Sequence, residues 1–326
     1  MVVIDLVRIT VLVLVSMLVS PGRLPARSWR TEFIFRLAKR LLSESVGKPF
    51  LWMRVRQKLL QPFSLSLLKV TKTNRLIEGV PCLIFEPKKA SPGTLIIYLH
   101  GGGYVIGSSE YYRTMLAKLA LDCEAEVVGV DYRLAPEHAI PAAHSDCISV
   151  VKSLASDPKN SDRKIILMGD SAGGGLCLAT LVSDECQQMY KKVDASVLIS
   201  PWLVATNQDL LELKHEASDI LDQKVLSYWS KTAVVNSESA ALLDVMNVDF
   251  NKLPPLYIQT GGAEVFSKQV SQFVARLEEA GHPYEYETFD QQFHVFQTLT
   301  PLVKEADAAL NRIEVFLRPY TKRENT

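Results

Sequence analysis

The sequence has no excess of charge of either sign, and its few cysteines are scattered. Its 326 residues contain 36 Lys and Arg against 36 Asp and Glu. It has no long basic run and no interleaving of aromatic and basic residues, so nothing in it indicates a nucleic-acid partner. The five cysteines form no C-x-x-C pair. This argues against a structural zinc site and favours buried free thiols over disulfides.

The sequence also lacks a long hydrophobic run. Its first 20 residues are strongly apolar, but Asp5 and Arg8 interrupt them and the clean run covers only Ile9 to Val19. A membrane span needs about 20 apolar residues, and no small-residue cleavage site follows. We assign residues 1–27 as an apolar N-terminal segment. It could be a membrane anchor, a helix on a membrane surface or a packing helix, so a membrane-associated location (for example the endoplasmic reticulum) and a cytoplasmic one are both open.

After this segment, short apolar strands alternate with helical segments. A strand pair is predicted within 76–85, and single strands are predicted at 94–99, 125–130, 165–168, 195–199, 256–259 and 284–288. This alternation predicts a mostly parallel sheet with helices on both faces. Residues 28–70 have helical patterning only, and the alternation also stops between 203 and 252. We expect that second stretch to be an insertion.

The segment from Lys164 to Gly175 reads KIILMGDSAGGG. Its apolar start predicts a short buried strand, and helical composition follows it. A strand, a sharp turn with serine at its tip and a helix form a nucleophile elbow, in which the residues flanking the serine must be small. Gly169 and Gly173 meet that requirement. Ser171 is therefore the predicted nucleophile, at the N-terminus of a helix whose dipole favours negative charge.

A base for this serine is sought among the histidines. In a hydrolase built on such an elbow the chain order is Ser, acid, His, which leaves three of the six histidines. His215 lies in the expected insertion, and His282 precedes the last predicted strand, at the wrong end of the sheet. His294 follows that strand, and sites in open parallel sheets lie beyond the C-terminal ends of the strands. His294 is therefore the predicted base.

Two carboxylates compete for the role of the acid. Glu264 is the first carboxylate after the strand at 256–259. Asp290 also follows a strand, but it lies shortly before His294 on the same loop. To reach the far nitrogen of the imidazole, that loop would have to fold back on itself. We therefore predict that Glu264 is the acid.

A glycine-rich loop, HGGGY at 100–104, follows the strand at 94–99. Glycines let a backbone approach a ligand without a clash from Cβ. The amides of Gly102 and Gly103, together with that of Ala172 after the nucleophile, are the expected donors to a developing oxyanion. A phosphate-binding loop is the alternative for such a segment, but no G-K-[ST] follows it.

Three segments together resemble the hormone-sensitive-lipase-like family of α/β-hydrolase esterases, which includes membrane-anchored arylacetamide and steryl-acetyl deacetylases. They read HGGGYVIGS at 100–108, DYRLAPEHAIPAA at 131–143 and GDSAGGGL at 169–176. The resemblance covers roughly residues 70 to 317. It implies an α/β-hydrolase fold with a mostly parallel eight-stranded sheet, helices on both faces, a helical cap and no cofactor.

The resemblance also implies a domain organisation. Residues 28–70 would be N-terminal cap helices, and 71–318 the catalytic domain with a cap insertion at about 203–252. The segment 131–136 would support the elbow and have no catalytic role. The family's acid is usually Asp followed two residues later by Leu, whereas here Glu264 is followed by Phe266. A longer side chain can reach the same imidazole from a shifted backbone, so activity is expected.

The sequence thus predicts a serine carboxylesterase acting through an acyl-enzyme, with a small-molecule ester as its partner. Apolar esters with short or medium acyl chains are the substrates that the resemblance implies. The alternative is a non-catalytic small-molecule-binding protein on the same fold, like the gibberellin receptors, which lack the catalytic His. The presence of Ser171, Glu264 and His294 argues against it. A prolyl-peptidase-like activity would need a large extra domain, for which the chain has no room.

Overall fold

The structure is a computed structural model. It describes residues 2–20, 24–25, 27–59, 64–89, 93–186, 192–206 and 212–321. Eight strands form one sheet: β1 (Val70–Ile77), β2 (Val80–Pro87), β3 (Thr94–Leu99), β4 (Ala125–Val130), β5 (Lys164–Asp170), β6 (Ala195–Ile199), β7 (Leu256–Gly261) and β8 (Tyr284–Phe289). Their order is β1-β2-β4-β3-β5-β6-β7-β8. β2 pairs antiparallel with β1 and β4, and the other pairings are parallel.

The helices precede, connect and follow these strands. They are α1 (Val2–Val19), α2 (Trp29–Ser43), α3 (Phe50–Leu59), α4 (Ser66–Lys69), α5 (Arg113–Asp122), α6 (Ile140–Ser156), α7 (Ala172–Val182), α8 (Gln223–Ala233), α9 (Ser237–Leu242), α10 (Ser267–Glu279) and α11 (Lys304–Thr321). The predicted α/β-hydrolase sheet, with helices on both faces, is confirmed.

The central strands are buried on both faces. Every residue of β3 is buried, because the side chains of a strand alternate between two covered faces. Leu95, Ile97 and Leu99 belong to a core shared with α6, α7, α8 and α10. Ile96 and Tyr98 belong to the opposite core, which α5 and α11 cover. The continuous apolar run TLIIYL is thus the pattern of a strand between two helical layers.

The N-terminal helices lie outside this sandwich. Ser28 caps α2, and its side chain accepts a hydrogen bond from the Thr31 backbone N–H at 3.1 Å. One face of α1, with Ile9, Val13 and Met17, packs against Leu41 of α2. In the described part of the chain, no helix is long and apolar enough to cross a membrane.

Some elements differ in detail from the sequence predictions. The strand pair predicted within 76–85 is longer, since β1 begins at Val70 and β2 ends at Pro87. The helix after the elbow ends at Val182, because Ser183 adopts an extended backbone, and residues 187–191 lie outside the described residues. The expected insertion at 203–252 contains α8, α9 and short 3₁₀ turns, and its residues 207–211 are also outside the description. The five cysteines are free and buried, as predicted.

Candidate active site

The elbow places Ser171 at the junction of β5 and α7. Its backbone has φ 51° and ψ −120°, a conformation that a non-glycine residue adopts only when its surroundings enforce it. A Cβ on Gly169 would lie 2.5 Å from the Gly173 carbonyl oxygen, and a Cβ on Gly173 would lie 2.0 Å from that of Leu99. The flanking positions are therefore restricted to glycine by contact.

His294 lies in the loop after β8. Its Nε2 is 2.8 Å from the Ser171 Oγ, which is hydrogen-bond distance. Both side chains are nearly fully buried. The structure therefore brings the predicted nucleophile and base into direct contact across the C-terminal ends of β5 and β8.

Glu264 approaches the opposite nitrogen of the same ring. Its Oε1 is 3.9 Å from His294 Nδ1, which is longer than a hydrogen bond. Neither Glu264 Oε1 nor His294 Nδ1 has a hydrogen-bond partner among the described residues. Each can therefore pair with the other after a small movement. The second oxygen, Oε2, accepts the Ser200 hydroxyl at 2.6 Å and the Gly261 N–H at 2.9 Å. Asp290, the rival acid, is exposed to solvent.

The surroundings of His294 alter its pKa. Burial lowers the pKa of the imidazole, but the Glu264 carboxylate and, more weakly, the charges of Asp219 and Asp170 act against it. The net result is a pKa above the ordinary value for histidine. The negative charges around the ring therefore favour the imidazolium that forms when Ser171 gives up its proton.

Asp219 is a further buried carboxylate that the sequence analysis missed. Its Oδ1 accepts the backbone N–H of His294 at 2.9 Å, and its Oδ2 accepts that of Val265 at 2.8 Å. Burial raises the pKa of Asp219 to about 6, although His294 lowers it. One carboxylate from the 203–252 stretch thus holds the base and the residue next to Glu264.

The loop after β3 approaches Ser171 from the other side. Gly102 and Gly103 have φ of +114° and +60°. Their backbone N–H groups donate to no acceptor in the described ranges. The N–H of Ala172, at the first position of α7, is one that a helix leaves without an internal partner. These three predicted oxyanion donors are therefore all available.

The segment from Asp131 to Pro136 supports this loop. The Asp131 side chain accepts the Ser109 N–H at 2.5 Å, and the Tyr132 hydroxyl donates to the His100 carbonyl at 2.6 Å. The Tyr132 ring stacks on that of His100, with centroids 4.3 Å apart. These contacts therefore support the glycine loop and the segment after it, whereas the resemblance implied support of the elbow.

An apolar cavity of about 580 Å³ lies beside these loops. Helices α2 and α3 form one side of it. The other side includes Ile106 from the glycine loop, Ile220 next to Asp219, and Leu299 in the segment after His294. Among the described residues, no cluster of three His, Cys, Asp or Glu side chains is placed to hold a metal ion.

Comparisons with known proteins show which family the chain resembles. A family model described as alpha/beta hydrolase fold matches residues 96–298. A carboxylesterase/phospholipase of Mycobacterium tuberculosis is 30% identical over 70% of this chain, and the match spans 63% of that protein's length. An acetyl-hydrolase of Streptomyces hygroscopicus is also 30% identical, over 70% of this chain and 77% of its own.

Solved structures extend the comparison. An esterase from the bacterial hormone-sensitive lipase family superposes with a TM-score of 0.77 at 28% identity, over 92% of this chain and 99% of that one. An esterase/lipase from an uncultured bacterium gives a TM-score of 0.77 at 26% identity, over 90% and 99%. The chain therefore belongs to the α/β-hydrolase fold family, within its hormone-sensitive-lipase-like group of esterases.

Proposed function

We propose that this protein is a serine carboxylesterase whose triad is Ser171, His294 and Glu264. The observation that carries the proposal is the 2.8 Å contact between Ser171 Oγ and His294 Nε2, at the tip of a strained elbow. Relatives named as a carboxylesterase/phospholipase and an acetyl-hydrolase support the same class of reaction.

The reaction begins when the Ser171 oxygen attacks the ester carbonyl and His294 Nε2 takes its proton. The negative oxygen of the tetrahedral intermediate then accepts hydrogen bonds from the amides of Gly102, Gly103 and Ala172. The imidazolium gives its proton to the leaving alcohol, and an acyl-enzyme remains. Water, activated by the same imidazole, attacks this acyl group, and the carboxylic acid leaves.

Glu264 orients the imidazole and stabilises its charged form. Its Oε1 faces Nδ1 at 3.9 Å, and such contacts often shorten when substrate binds. The Ser200 hydroxyl and the Gly261 N–H hold the other carboxylate oxygen. They fix the direction from which Glu264 approaches the ring.

The same proposal includes a helical cap made of residues 28–70 and about 203–252. Trp229 of α8 touches the glycine loop, since a Cβ on Gly103 would lie 2.3 Å from its ring. Lys39 of α2 donates to the Asp219 carbonyl at 2.8 Å. Together the two segments cover the site with an apolar surface, which suits apolar esters of short or medium acyl chain.

The test of the proposed function is labelling with an active-site phosphonate, combined with hydrolysis of p-nitrophenyl butyrate. We expect the phosphonate to modify Ser171 and Ser171→Ala to lose at least about a thousandfold in kcat. Ser161→Ala, at an exposed serine, is the control and should match the wild type. An alanine variant within tenfold of wild type, or labelling elsewhere, would contradict the assignment and favour a binding protein.

We also propose that α1 lies on a membrane surface. One side of the helix packs on α2, while the other exposes aliphatic side chains, with Leu18 82% and Val7 59% exposed. Such a face gains free energy by entering the headgroup boundary of a bilayer. In vesicle flotation, Leu14→Ser/Leu18→Ser should lose binding and Leu76→Ser, at an exposed leucine of β1, should keep it. Equal flotation of the two variants would contradict this placement.

A further inference from the structure

The cavity beside the active site is apolar except at a few positions. Its polar lining residues include Arg30, Arg56 and Gln57, and no carboxylate lines it among the described residues. The Gln57 side-chain oxygen already accepts the Gly107 N–H at 3.1 Å. Arg30 is exposed, whereas Arg56 is only 4% exposed. The cavity therefore combines apolar walls with one buried positive charge.

Arg56 is incompletely paired. Its Nη2 donates to the Leu41 carbonyl, and its guanidinium lies 4.4 Å from the centre of the Trp52 ring. Its Nη1 is buried and has no hydrogen-bond partner in the described part of the chain. A buried charge without a paired donor is costly unless something else satisfies it. Burial accordingly lowers the pKa of the guanidinium, although arginine side chains remain charged in proteins.

The two carboxylates that attract Arg56 are paired with other arginines. Asp5 and Glu44 act on Arg56 only through longer-range attraction. Asp5 pairs with Arg8 at 2.9 Å. Glu44 pairs with Arg40 at 2.8 Å and also with Arg8. Three arginines thus surround two carboxylates, which leaves a net positive charge at this end of the cavity.

We propose that this cavity binds the apolar chain of the substrate and that Arg56 binds an anionic group at the end of that chain. The inference rests on the proposed esterase function and deepens it. Guanidinium pairs with carboxylate or phosphate oxygens by strong, charge-assisted hydrogen bonds. The substrate class is then an ester whose aliphatic chain, in its acyl or its alcohol part, ends in an anion.

The cavity borders the two loops that carry the proposed reacting groups. Ile106 lies in the loop whose Gly102 carbonyl accepts the N–H groups of Val105 and Ile106. Leu299 ends the turn that follows His294. The apolar walls therefore begin at the two loops that carry the oxyanion donors and the base, and they extend to Arg56 on α3.

The test compares pairs of esters that differ only in the terminal group. In the first series the anion is on the acyl chain: p-nitrophenyl hemiesters of dicarboxylic acids are compared with p-nitrophenyl alkanoates of equal length. In the second series the anion is on the alcohol: acetate esters of ω-hydroxy acids and of ω-hydroxyalkyl phosphates are compared with acetate esters of unsubstituted alcohols of equal length. The readout is the ratio of kcat/KM for the anionic and the neutral ester, because a general loss of activity does not change it.

We expect the wild type to favour the anionic ester by at least about tenfold at the best chain length of one series. Arg56→Gln keeps a donor for the Leu41 carbonyl but removes the charge, so it should reduce the ratio at least tenfold. Arg75→Gln, at an exposed arginine of β1, should leave the ratio unchanged. A wild type that prefers neutral esters in both series, or a ratio that Arg56→Gln does not change, would overturn the proposal. Within the alcohol series, the better terminal group tells carboxylate from phosphate.

A binding measurement separates this inference from the proposed function. In Ser171→Ala protein, displacement of a fluorescent fatty acid should require much less of a long-chain carboxylate or alkyl phosphate than of the alcohol of equal length. Arg56→Gln should remove that difference. If the wild type does not hydrolyse neutral esters and phosphonate does not label Ser171, the esterase assignment fails. The effect of Arg56→Gln on anion binding would still be valid, because this measurement does not depend on hydrolysis. Equal displacement by the alcohol and the anions would contradict the role of Arg56.

Discussion

The Asp219 carboxylate accepts the backbone N–H of His294 at 2.9 Å, although the two residues lie 75 positions apart in the chain. Its other oxygen holds Val265, the neighbour of Glu264. Arg27 and Lys39 in turn donate to the carbonyls of Ser218 and Asp219. The proposed base and acid are thus positioned from the stretch between β6 and β7, which Arg27 and α2 hold in place.

Replacing Asp219 by Asn should reduce kcat more than it changes KM. The amide nitrogen of Asn cannot accept a hydrogen bond, so one of the two loops loses its contact. We expect a loss of at least about tenfold in kcat, measured on a neutral p-nitrophenyl ester. Asp162→Asn, at an exposed carboxylate, is the control. If both variants match the wild type, Asp219 does not position the base.

The acid assignment predicts a ranking of two variants. Glu264→Gln removes the charge that faces His294 Nδ1 and lets the imidazole adopt the wrong tautomer. It should lose at least roughly a hundredfold in kcat, with KM little changed. Asp290→Asn, at the exposed rival position, should stay within about tenfold. The reverse ranking, with both variants folded by circular dichroism, would assign the acid to Asp290.

The raised pKa of His294 makes activity and stability respond oppositely to pH. The base must be neutral to accept a proton, so kcat/KM should rise as pH increases through a pKa above the ordinary value. Protonation of the same ring stabilises the fold, and this stabilisation is lost as pH rises through the folded pKa.

The dependence of kcat/KM on pH also tests what raises the pKa of His294. Without the Glu264 charge, the acid limb of the residual activity of Glu264→Gln should move to lower pH. Ser161→Ala should keep the wild-type limb. A limb that stays in place in Glu264→Gln would mean that this carboxylate does not set the pKa of His294.

Gly103 and Gly281 form a matched pair for the oxyanion loop. Both have a left-handed backbone, with φ of +60° and +63°. A Cβ on Gly103 would lie 2.3 Å from the Trp229 ring, whereas no atom of the described residues would lie within 4 Å of a Cβ on Gly281. Gly281→Ala should cost about 1 to 2 kcal/mol in unfolding free energy and keep its activity. Gly103→Ala should in addition lose at least tenfold in kcat. If Gly103→Ala and Gly281→Ala have equal activity, the glycine loop tolerates the displacement that a Cβ at position 103 would cause.

The sequence predicted the elements whose residues carry a local signal. The run at 94–99 matches β3 because burial on both faces requires apolar residues throughout. Ser171, His294 and Glu264 could be selected because each lies in the segment that follows a strand, and the strands end at the same edge of the sheet.

Other features depend on contacts that no local pattern records. Asp219 lies in the stretch where the alternation of strands and helices stops, and it holds two distant backbone amides. Ser200 likewise carries no local signal, although its hydroxyl donates to Glu264. The N-terminal run is apolar on all sides, so its sequence could not show that Ile9 and Val13 face α2 and Leu18 faces outward.

Because all five thiols are buried, their alkylation can be used to follow local unfolding of the protein. Burial raises the pKa of Cys82 to about 12 and raises that of each of the others, and thiolate is the form that alkylating reagents attack. Reagent can therefore reach a cysteine only after its surroundings open. Because the cysteines are distributed from β2 to the turn after α7, the order in which they become alkylated would report which part of the sandwich separates first.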